Sequence, residues 1–287
     1  MKGGNPVFHE AYTLTPADYA YPSWLRMAQD RPPVVYVRGS LPPDRRCVAC
    51  VGTRQPSDFG ITEARGISRF LAAHGWSIVS GLAVGVDTHC HEAALEVGGH
   101  TVAVLANGLD SVYPRQNTGL AERILATGGA LLSEQPPGTP ALPKHLFRRN
   151  RIQSGMSAAT VVMQTDLVGG TMHTARYTLL QGRLLVAPVP QGPHAAEAKS
   201  RGLIALTQRT GTNLAKLLEA KKAYARLLER KFADRPVAML LTGCEDYAQL
   251  LEALEGLIGE DTGLQDIESQ RIRAVSACQL SLALGER

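Results

Sequence analysis

The sequence predicts an α/β protein in which a doubly wound, mostly parallel sheet carries an α-rich C-terminal extension. Three observations indicate this class. Short apolar runs alternate with longer helical patterns between residues 47 and 188, an alternation that is typical of parallel sheets. Two of the apolar runs end in glycine-bearing turns that lead into a helix start. Beyond residue 190 this alternation ends, and helical patterns dominate.

Six strands alternate with five helices in the central part of the chain. The predicted strands lie at 47–51, 76–80, 101–106, 130–133, 159–164 and 184–188. The predicted helices lie near 57–74, 87–97, 117–127, 146–156 and 171–181. The connections are expected to be right-handed crossovers. Because parallel strands run in the same direction, the loops that follow them gather at one edge of the sheet. Open sheets of this kind bind ligands at that carboxyl edge.

Outside this alternating region we predict a lead-in before the core and an extension after it. Residues 1–40 form a lead-in, irregular over 1–13, with a short helix at 23–29 and a short edge strand at 34–39. The core covers 41–210 and the extension 211–287. The other predicted elements are a possible strand at 202–206, helices at 213–231, 245–258 and 265–284, and a strand at 237–241. We expect the extension to serve a protein partner or nucleic acid. The helix at 213–231 has a basic face, which suits nucleic acid, although a solvated helix surface is the more usual explanation of such a face.

Composition limits the classes of function. The net charge is only +4, so a nucleic-acid footprint must be a local patch. There is neither a run of 18 apolar residues nor an apolar N-terminal stretch, so we expect no membrane span and no secretory signal. Five cysteines without the pattern of a disulfide scaffold indicate a reducing cytoplasm. Cys47 and Cys50 are three residues apart in a strand and therefore face opposite sides. We predict no metal site and interpret both cysteines as core residues.

The turn after the second core strand is the centre of the predicted site. Gly81 and Gly85 let the backbone approach a ligand closely, and the helix that follows begins with free N–H groups that favour an anion. Ser80 comes just before the turn. Asp87 and His91 are four residues apart on that helix and can meet. An orienting hydrogen bond between them is more typical than a catalytic dyad.

Two groups of cations lie near predicted loops. Arg54 follows the first core strand, where it can contact a phosphate in forked geometry or simply pair with a helix carboxylate. Residues 144–151 carry four fixed cations, Lys144, Arg148, Arg149 and Arg151, together with Phe147. Cations at a helix start oppose the helix dipole, so local stability does not explain them. The cluster can neutralise phosphates while Phe147 stacks on a base, or it can be a solvated helix start with Phe147 in the core.

A third loop at a helix start contains Gly169, Gly170, Thr171 and Thr174. Its hydroxyls can cap the helix, bind an anion, or do both. The sequence carries no GxxxxGK[ST], GxGxxG, HExxH or GxSxG motif, and no nucleophile–base pair is evident. We therefore predict binding rather than catalysis, with no catalytic residue and no cofactor.

The motifs together resemble the DprA/Smf family of bacterial DNA-processing proteins over about residues 20–210. The matching stretches are VGTR at 51–54, SGLAVGVD at 80–87 with His91, GHTVAVL at 99–105, DSVYP at 110–114, LSEQPPG at 132–138, FRRNR at 147–151 and the threonine and alanine at 174–175. The resemblance implies a Rossmann-like core that binds single-stranded DNA. It also implies a homodimer that loads the RecA recombinase during natural transformation.

By position, Arg54, Lys144 and Phe147 match the family's strand-binding arginine, lysine and aromatic residue. Ser80, Gly81, Thr171 and Thr174 match its glycine- and hydroxyl-rich phosphate pocket. Arg148 and Arg151 are weaker candidates for DNA binding, since one or both can pair with Glu134. The phosphates are expected to lie across the loop at 80–85 and the helix start at Thr171, held by backbone N–H groups.

The chain departs from the family at both ends. We expect no sterile-alpha-motif-like domain of the kind that often precedes the core, and residues 213–287 do not match a winged helix. One alternative is a DprA-like antitoxin that binds a toxin protein in an anti-phage module. A second is an enzyme that resembles nucleotide phosphoribohydrolases. Those enzymes use a PGGxGTxxE loop, and the loop at 168–174 has no glutamate at the required place.

Overall fold

The computed structural model describes residues 10–42 and 45–259. Within these ranges nine strands form one sheet in the order β1-β2-β6-β5-β4-β3-β7-β8-β9. The strands are β1 Tyr12–Leu14, β2 Val35–Gly39, β3 Cys47–Val51, β4 Ser77–Ser80, β5 Thr101–Leu105, β6 Ala130–Ser133, β7 Ala159–Val162, β8 Leu184–Pro188 and β9 Met239–Leu241. The seven strands from β6 to β9 in this order are mutually parallel. β2 pairs antiparallel with β6, and β1 antiparallel with β2.

Ten α-helices accompany this sheet in the described ranges. They are α1 Ser23–Met27, α2 Asp58–Ala73, α3 Val86–Glu96, α4 Thr118–Ala126, α5 Pro143–Gly155, α6 Gly170–Leu180, α7 Arg201–Gln208, α8 Gly211–Leu217, α9 Lys222–Lys231 and α10 Tyr247–Gly259. None of them is both long and apolar enough to span a membrane.

The sheet is covered on both faces, and its parallel strands β3 to β8 are buried at every residue. On one face Val48 and Cys50 pack with buried residues of α2, α3 and α10. On the other face Val51 and Val162 pack with α6, α8 and α9. Strands buried on both sides form continuous apolar runs rather than alternating ones. The predicted doubly wound fold is therefore confirmed, and the six core strands lie within two residues of their predicted bounds.

The strand order reverses between β3 and β7. From β3 the chain continues to β4, β5 and β6 on one side, and from β7 it continues to β8 and β9 on the other. The two loops that leave this point, after Val51 and after Val162, therefore diverge and leave a crevice between them. Ligands of open α/β sheets bind at such a switch point.

Three local expectations are wrong. Tyr12–Leu14 is a strand paired with β2, although 1–13 was expected to be irregular. The possible strand at 202–206 is part of α7, since Leu203, Leu206 and Thr207 are buried at helical spacing. The single helix expected over 213–231 is two helices, α8 and α9. The chain breaks between them, with positive φ at Glu219 and Lys222.

The described part of the extension is continuous with the sheet. β9 pairs in parallel with β8, with Leu240 opposite Ala187. Leu250 and Leu254 of α10 belong to the same buried cluster as Ile67 of α2. The boundaries at residues 40 and 210 stay predictions, and the helix expected over 265–284 lies outside the described residues.

Candidate nucleic-acid interface

A cleft of about 610 Å³ opens at the switch point between β3 and β7. Its walls come from the loops after β3 and β7, the turn after β4, and α5. The residues that line it include Arg54, Ala83, Asp87, Phe147, Arg149, Asn150, Gly169, Gly170, Thr171 and Thr174. We call this set the cleft. It contains four of the nine residues predicted to bind DNA, Arg54, Phe147, Thr171 and Thr174. The other five, Ser80, Gly81, Lys144, Arg148 and Arg151, lie outside its lining.

The start of α6 forms one wall of the cleft. Gly169 occupies the N-cap position with φ +148° and ψ 176°, a conformation open almost only to glycine. A glycine cap offers no side-chain oxygen, and the first N–H groups of a helix have no partner within the helix. With the dipole of α6 directed at the cleft, this wall favours a negative charge. The Asn150 side chain steadies it by donating to the Gly170 carbonyl at 3.1 Å.

The two threonines of this wall are placed differently. Thr171 is half-buried and lines the cleft. Thr174 also lines it but is buried, and its hydroxyl donates to the Gly170 carbonyl at 3.3 Å. A hydroxyl that donates to its own helix has no proton left for a phosphate oxygen. Thr171 is therefore the better-placed hydroxyl of the pair.

The turn after β4 is occupied by a side chain of the protein itself. Asp87 accepts hydrogen bonds from the backbone N–H groups of Gly81, at 3.1 Å, and Ala83, at 3.3 Å. The expectation that these N–H groups hold phosphate therefore needs correction, because a carboxylate already fills that position. Ser80 is buried and donates its hydroxyl to the Cys50 carbonyl at 2.7 Å, so it does not face the cleft either.

Arg149 lies beneath the same turn. It is buried, and its guanidinium donates to the carbonyl of Val104. Burial lowers its pKa to about 10, with the charge of Arg54 acting in the same direction. Burial also raises the pKa of Asp87, against the opposing effect of the Arg149 charge. Arg149 was counted only as one cation of the 144–151 cluster, yet it shares the buried side of α5 with Ile152, and that helical spacing was the signal for its inward position.

Arg54 and Phe147 present their side chains to solvent at the cleft. Arg54 is exposed and lines it. Phe147 is 49% exposed, and its ring meets the His173 ring edge-on with centroids 5.2 Å apart. An aromatic ring left half in water is not a core anchor, which removes the alternative interpretation of Phe147. Lys144 is exposed in the first turn of α5, outside the lining of the cleft.

The remaining two cations, Arg148 and Arg151, approach the Glu134 carboxylate to different extents. Arg151 is buried and bonds to the Glu134 carboxylate. Arg148 is 63% exposed and only approaches the same carboxylate, with Nε 3.5 Å from Oε2. The expected pairing with Glu134 is thus confirmed. Arg148 can still reach an external anion, whereas Arg151 is committed inside the protein.

The expected contact between Asp87 and His91 is wrong. His91 is fully buried, with Nδ1 2.7 Å from the Thr101 hydroxyl oxygen. That hydroxyl donates its own proton to the Ile78 carbonyl, so Nδ1 of His91 must carry the proton between them. Burial and the charge of Arg149 lower the pKa of His91 to about 3. In the described ranges, no group of three His, Cys, Asp or Glu side chains is placed to hold a metal ion.

Acid is expected to destabilise the protein through His91. Its pKa is about 3 in the folded state, against about 6.5 in an unfolded chain. Between these values only the unfolded chain binds the proton, so the free energy of unfolding decreases as the pH falls below about 6.5. At about pH 5 the loss from this group is about 2 kcal/mol. Urea unfolding of wild type and His91→Gln at pH 7 and pH 5 measures it; an equal loss in both proteins would contradict the assignment.

The comparisons with known proteins point to one family. A family model described as DNA recombination-mediator protein A matches residues 12–242. Protein Smf of Escherichia coli is 41% identical over 190 residues, which cover 63% of this chain and 51% of that protein. DNA processing protein DprA of Bacillus subtilis is 37% identical over 177 residues, or 61% and 59% of the two chains. The chain thus spans about half the length of the curated relatives it matches.

Two solved structures share the fold. DNA processing protein A from Streptococcus pneumoniae superposes with a TM-score of 0.64 and 28% identity, over 84% of this chain and 74% of that one. DNA processing protein A from Helicobacter pylori, described for its single-stranded DNA binding mode, gives 0.65 and 25%, over 86% and 98%. With the family model covering most of its length, the chain belongs to the DNA recombination-mediator protein A family.

Proposed function

We propose that this protein binds single-stranded DNA in the cleft and acts in DNA processing, in recombination and natural transformation. The proposal rests on how three groups are arranged around the cleft. An uncapped helix start, an exposed arginine and a half-exposed phenylalanine face the same open cleft at the switch point of the sheet. The likeness to the Helicobacter pylori protein, whose single-stranded DNA binding mode has been described, supports it.

The proposed phosphate position is the start of α6. The first N–H groups of that helix, the Thr171 hydroxyl and the Arg54 guanidinium can converge on one anion there. Asp87 already fills the corresponding position at the turn after β4. Its carboxylate would repel a phosphate placed on that turn, so the backbone of the strand is directed toward α6.

Phe147 gives the proposed preference for single strands. A base stacks on an exposed aromatic ring only when its own face is free. In a duplex these faces are covered by neighbouring bases, and the double helix is too stiff to bend into the cleft. The two buried charged residues that line the cleft, Asp87 and Arg149, form hydrogen bonds with the protein backbone. This supports a binding role rather than catalysis.

Assembly and setting are part of the same proposal. We propose a homodimer with RecA as a partner, as the family resemblance implies, and a cytoplasmic location, as the cysteine content indicates. Light scattering at micromolar concentration tests the dimer, and a monomer would count against it. A neighbouring toxin gene would instead favour the antitoxin alternative.

Removing Arg54 or Lys144 is expected to weaken DNA binding for all sequences alike. Each side chain neutralises one phosphate, so Arg54→Ala or Lys144→Ala should flatten the dependence of log affinity on log salt by about 0.7 to 1 unit. Titrations of a labelled oligonucleotide at several salt concentrations measure the slope. Arg123→Ala serves as the control, because Arg123 is exposed on α4 at the other face of the sheet. If both variants bind like wild type while folded, the cleft is not the DNA site.

A further inference from the structure

The exposed side of α6 leads from the cleft to a second basic surface. His173, Arg176 and Leu180 are exposed and lie three, four and seven residues apart, so they line one side of the helix. His173 touches Phe147 at the cleft end. Leu180 is about 10 Å further along the axis, at 1.5 Å per residue. There it lines a groove of about 510 Å³ formed with α9.

The groove combines an apolar floor with cations. Leu180, Ala223 and Leu227 provide the floor, and Arg226 and Arg230 stand beside them, both exposed. α9 is held against α6 by Tyr224 and Leu228, which are buried in one cluster with Ala175 and Leu179. Arg176 joins the two helices, since its guanidinium carbon lies 5.4 Å from the centre of the Tyr224 ring. The surface is therefore fixed relative to the cleft.

Helix stability accounts for only part of this charge. Arg230 lies in the last turn of α9, where cations are favoured by the helix dipole. Arg226 lies in the middle of the helix and gains little from that effect, and Lys222 at the first position opposes it. Glu229 is the one carboxylate on α9. The surface as a whole is thus positive and suits a polyanion with apolar parts.

We infer that a single strand bound in the cleft continues along α6 into this groove, a path defined here as the α6 track: His173, Arg176 and Leu180 with Arg226 and Arg230. The inference rests on the proposed binding of single strands in the cleft. A single strand presents phosphates at regular intervals and unpaired bases between them. Arg176, Arg226 and Arg230 meet the phosphates, and the apolar floor receives bases. An acidic protein segment would match the charge but has no reason to begin at Phe147.

Oligonucleotide length separates the α6 track from the cleft. The full-length protein is titrated with labelled oligothymidylates of about 5 and about 20 nucleotides. One binding fold covers roughly 4–16 nucleotides, so the first length lies near the lower end of this range and the second above its upper end. The test variant is Arg226→Glu/Arg230→Glu, with Arg226→Gln/Arg230→Gln as a milder form. The control is Arg123→Glu on α4. All substituted side chains are exposed, and thermal unfolding checks that the variants fold.

The variant Arg226→Glu/Arg230→Glu, called the double variant, is expected to lose affinity for the long strand but not for the short one. Two lost phosphate contacts reduce the salt slope by about 1.4, which corresponds to roughly 25-fold at about 0.1 M salt. Affinity for the short strand should change less than about twofold, and the control should change neither. Unchanged affinity for the long strand, or an equal loss for both strands, overturns the α6 track.

Failure of the track differs from failure of the proposed function. If the short strand binds and depends on Arg54 while the double variant has no effect, only the track fails. If wild type binds neither strand, both fail. If the double variant keeps both strands but loses a labelled polyglutamate peptide, the groove is a site for an acidic protein segment, and the α6 track is overturned.

Discussion

Replacing Gly81 by alanine is expected to destabilise the protein by about 3 kcal/mol, because the new methyl group would overlap a buried cation. A Cβ built at Gly81 falls on the guanidinium of Arg149, with Cζ only 2.5 Å away. Arg149 cannot swing clear without losing its bond to the Val104 carbonyl and leaving the charge of Asp87 uncompensated in the interior. Gly81 is therefore required for space rather than for backbone conformation.

Chemical unfolding of two alanine variants tests this explanation. Gly119 lies inside α4, and a Cβ added there would meet no other atom within 4 Å, so Gly119→Ala should be neutral or stabilise by about 0.5–1 kcal/mol. A second test places Gly81→Ala in an Arg149→Met background, where the guanidinium is gone. The cost of Gly81→Ala should then fall by about 1–2 kcal/mol, a coupling typical of residues in contact. Equal costs in the two backgrounds would contradict the overlap with Arg149.

The core of the fold could be predicted because local signals and burial agree there. Strands Ala159–Val162 and Leu184–Pro188 are buried at every position, so their sequences are mostly apolar. The strand at 184–188 keeps its predicted bounds, whereas the other ends two residues before the predicted 164, because Met163 and Gln164 are also buried and burial alone does not mark the end of a strand. The extension gave weaker signals. Its strand Met239–Leu241 has three residues, and the break between α8 and α9 contains no proline or glycine. It depends on positive φ at Glu219 and Lys222, for which those residue types give no warning.

The sequence predicts which loops form the site, but it does not predict the hydrogen bonds within them. The turn after β4 and the start of α6 look alike in sequence, since each has glycines before a helix. What distinguishes them is Asp87, in the first turn of α3, which reaches back to the N–H groups of Gly81 and Ala83. The spacing from Asp87 to His91 suggested a different partner for this carboxylate. Only tertiary packing, which places His91 against Thr101, decides between the two.

Replacing Phe147 by alanine is expected to lower the affinity for single-stranded DNA by about 1–3 kcal/mol, or roughly 5- to 150-fold, because one stacked base is lost. The ring is 49% exposed and meets the His173 ring edge-on, so its removal opens little of the core. The free energy of unfolding should therefore change little. Because Phe147 carries no charge, the salt slope should stay as in wild type, in contrast to Arg54→Ala.

Phe147→Tyr and Phe147→Leu make this test specific for stacking. Tyrosine keeps an aromatic face and should bind within about twofold of wild type, whereas leucine keeps apolar bulk but no ring and should lose most of what alanine loses. Titrations of a labelled oligothymidylate at one salt concentration rank the three variants. If leucine binds as well as phenylalanine, the side chain acts by apolar contact alone and base stacking at the cleft is refuted. If alanine also binds like wild type while folded, the strand does not pass Phe147, and the proposed path from the cleft onto α6 loses its starting point.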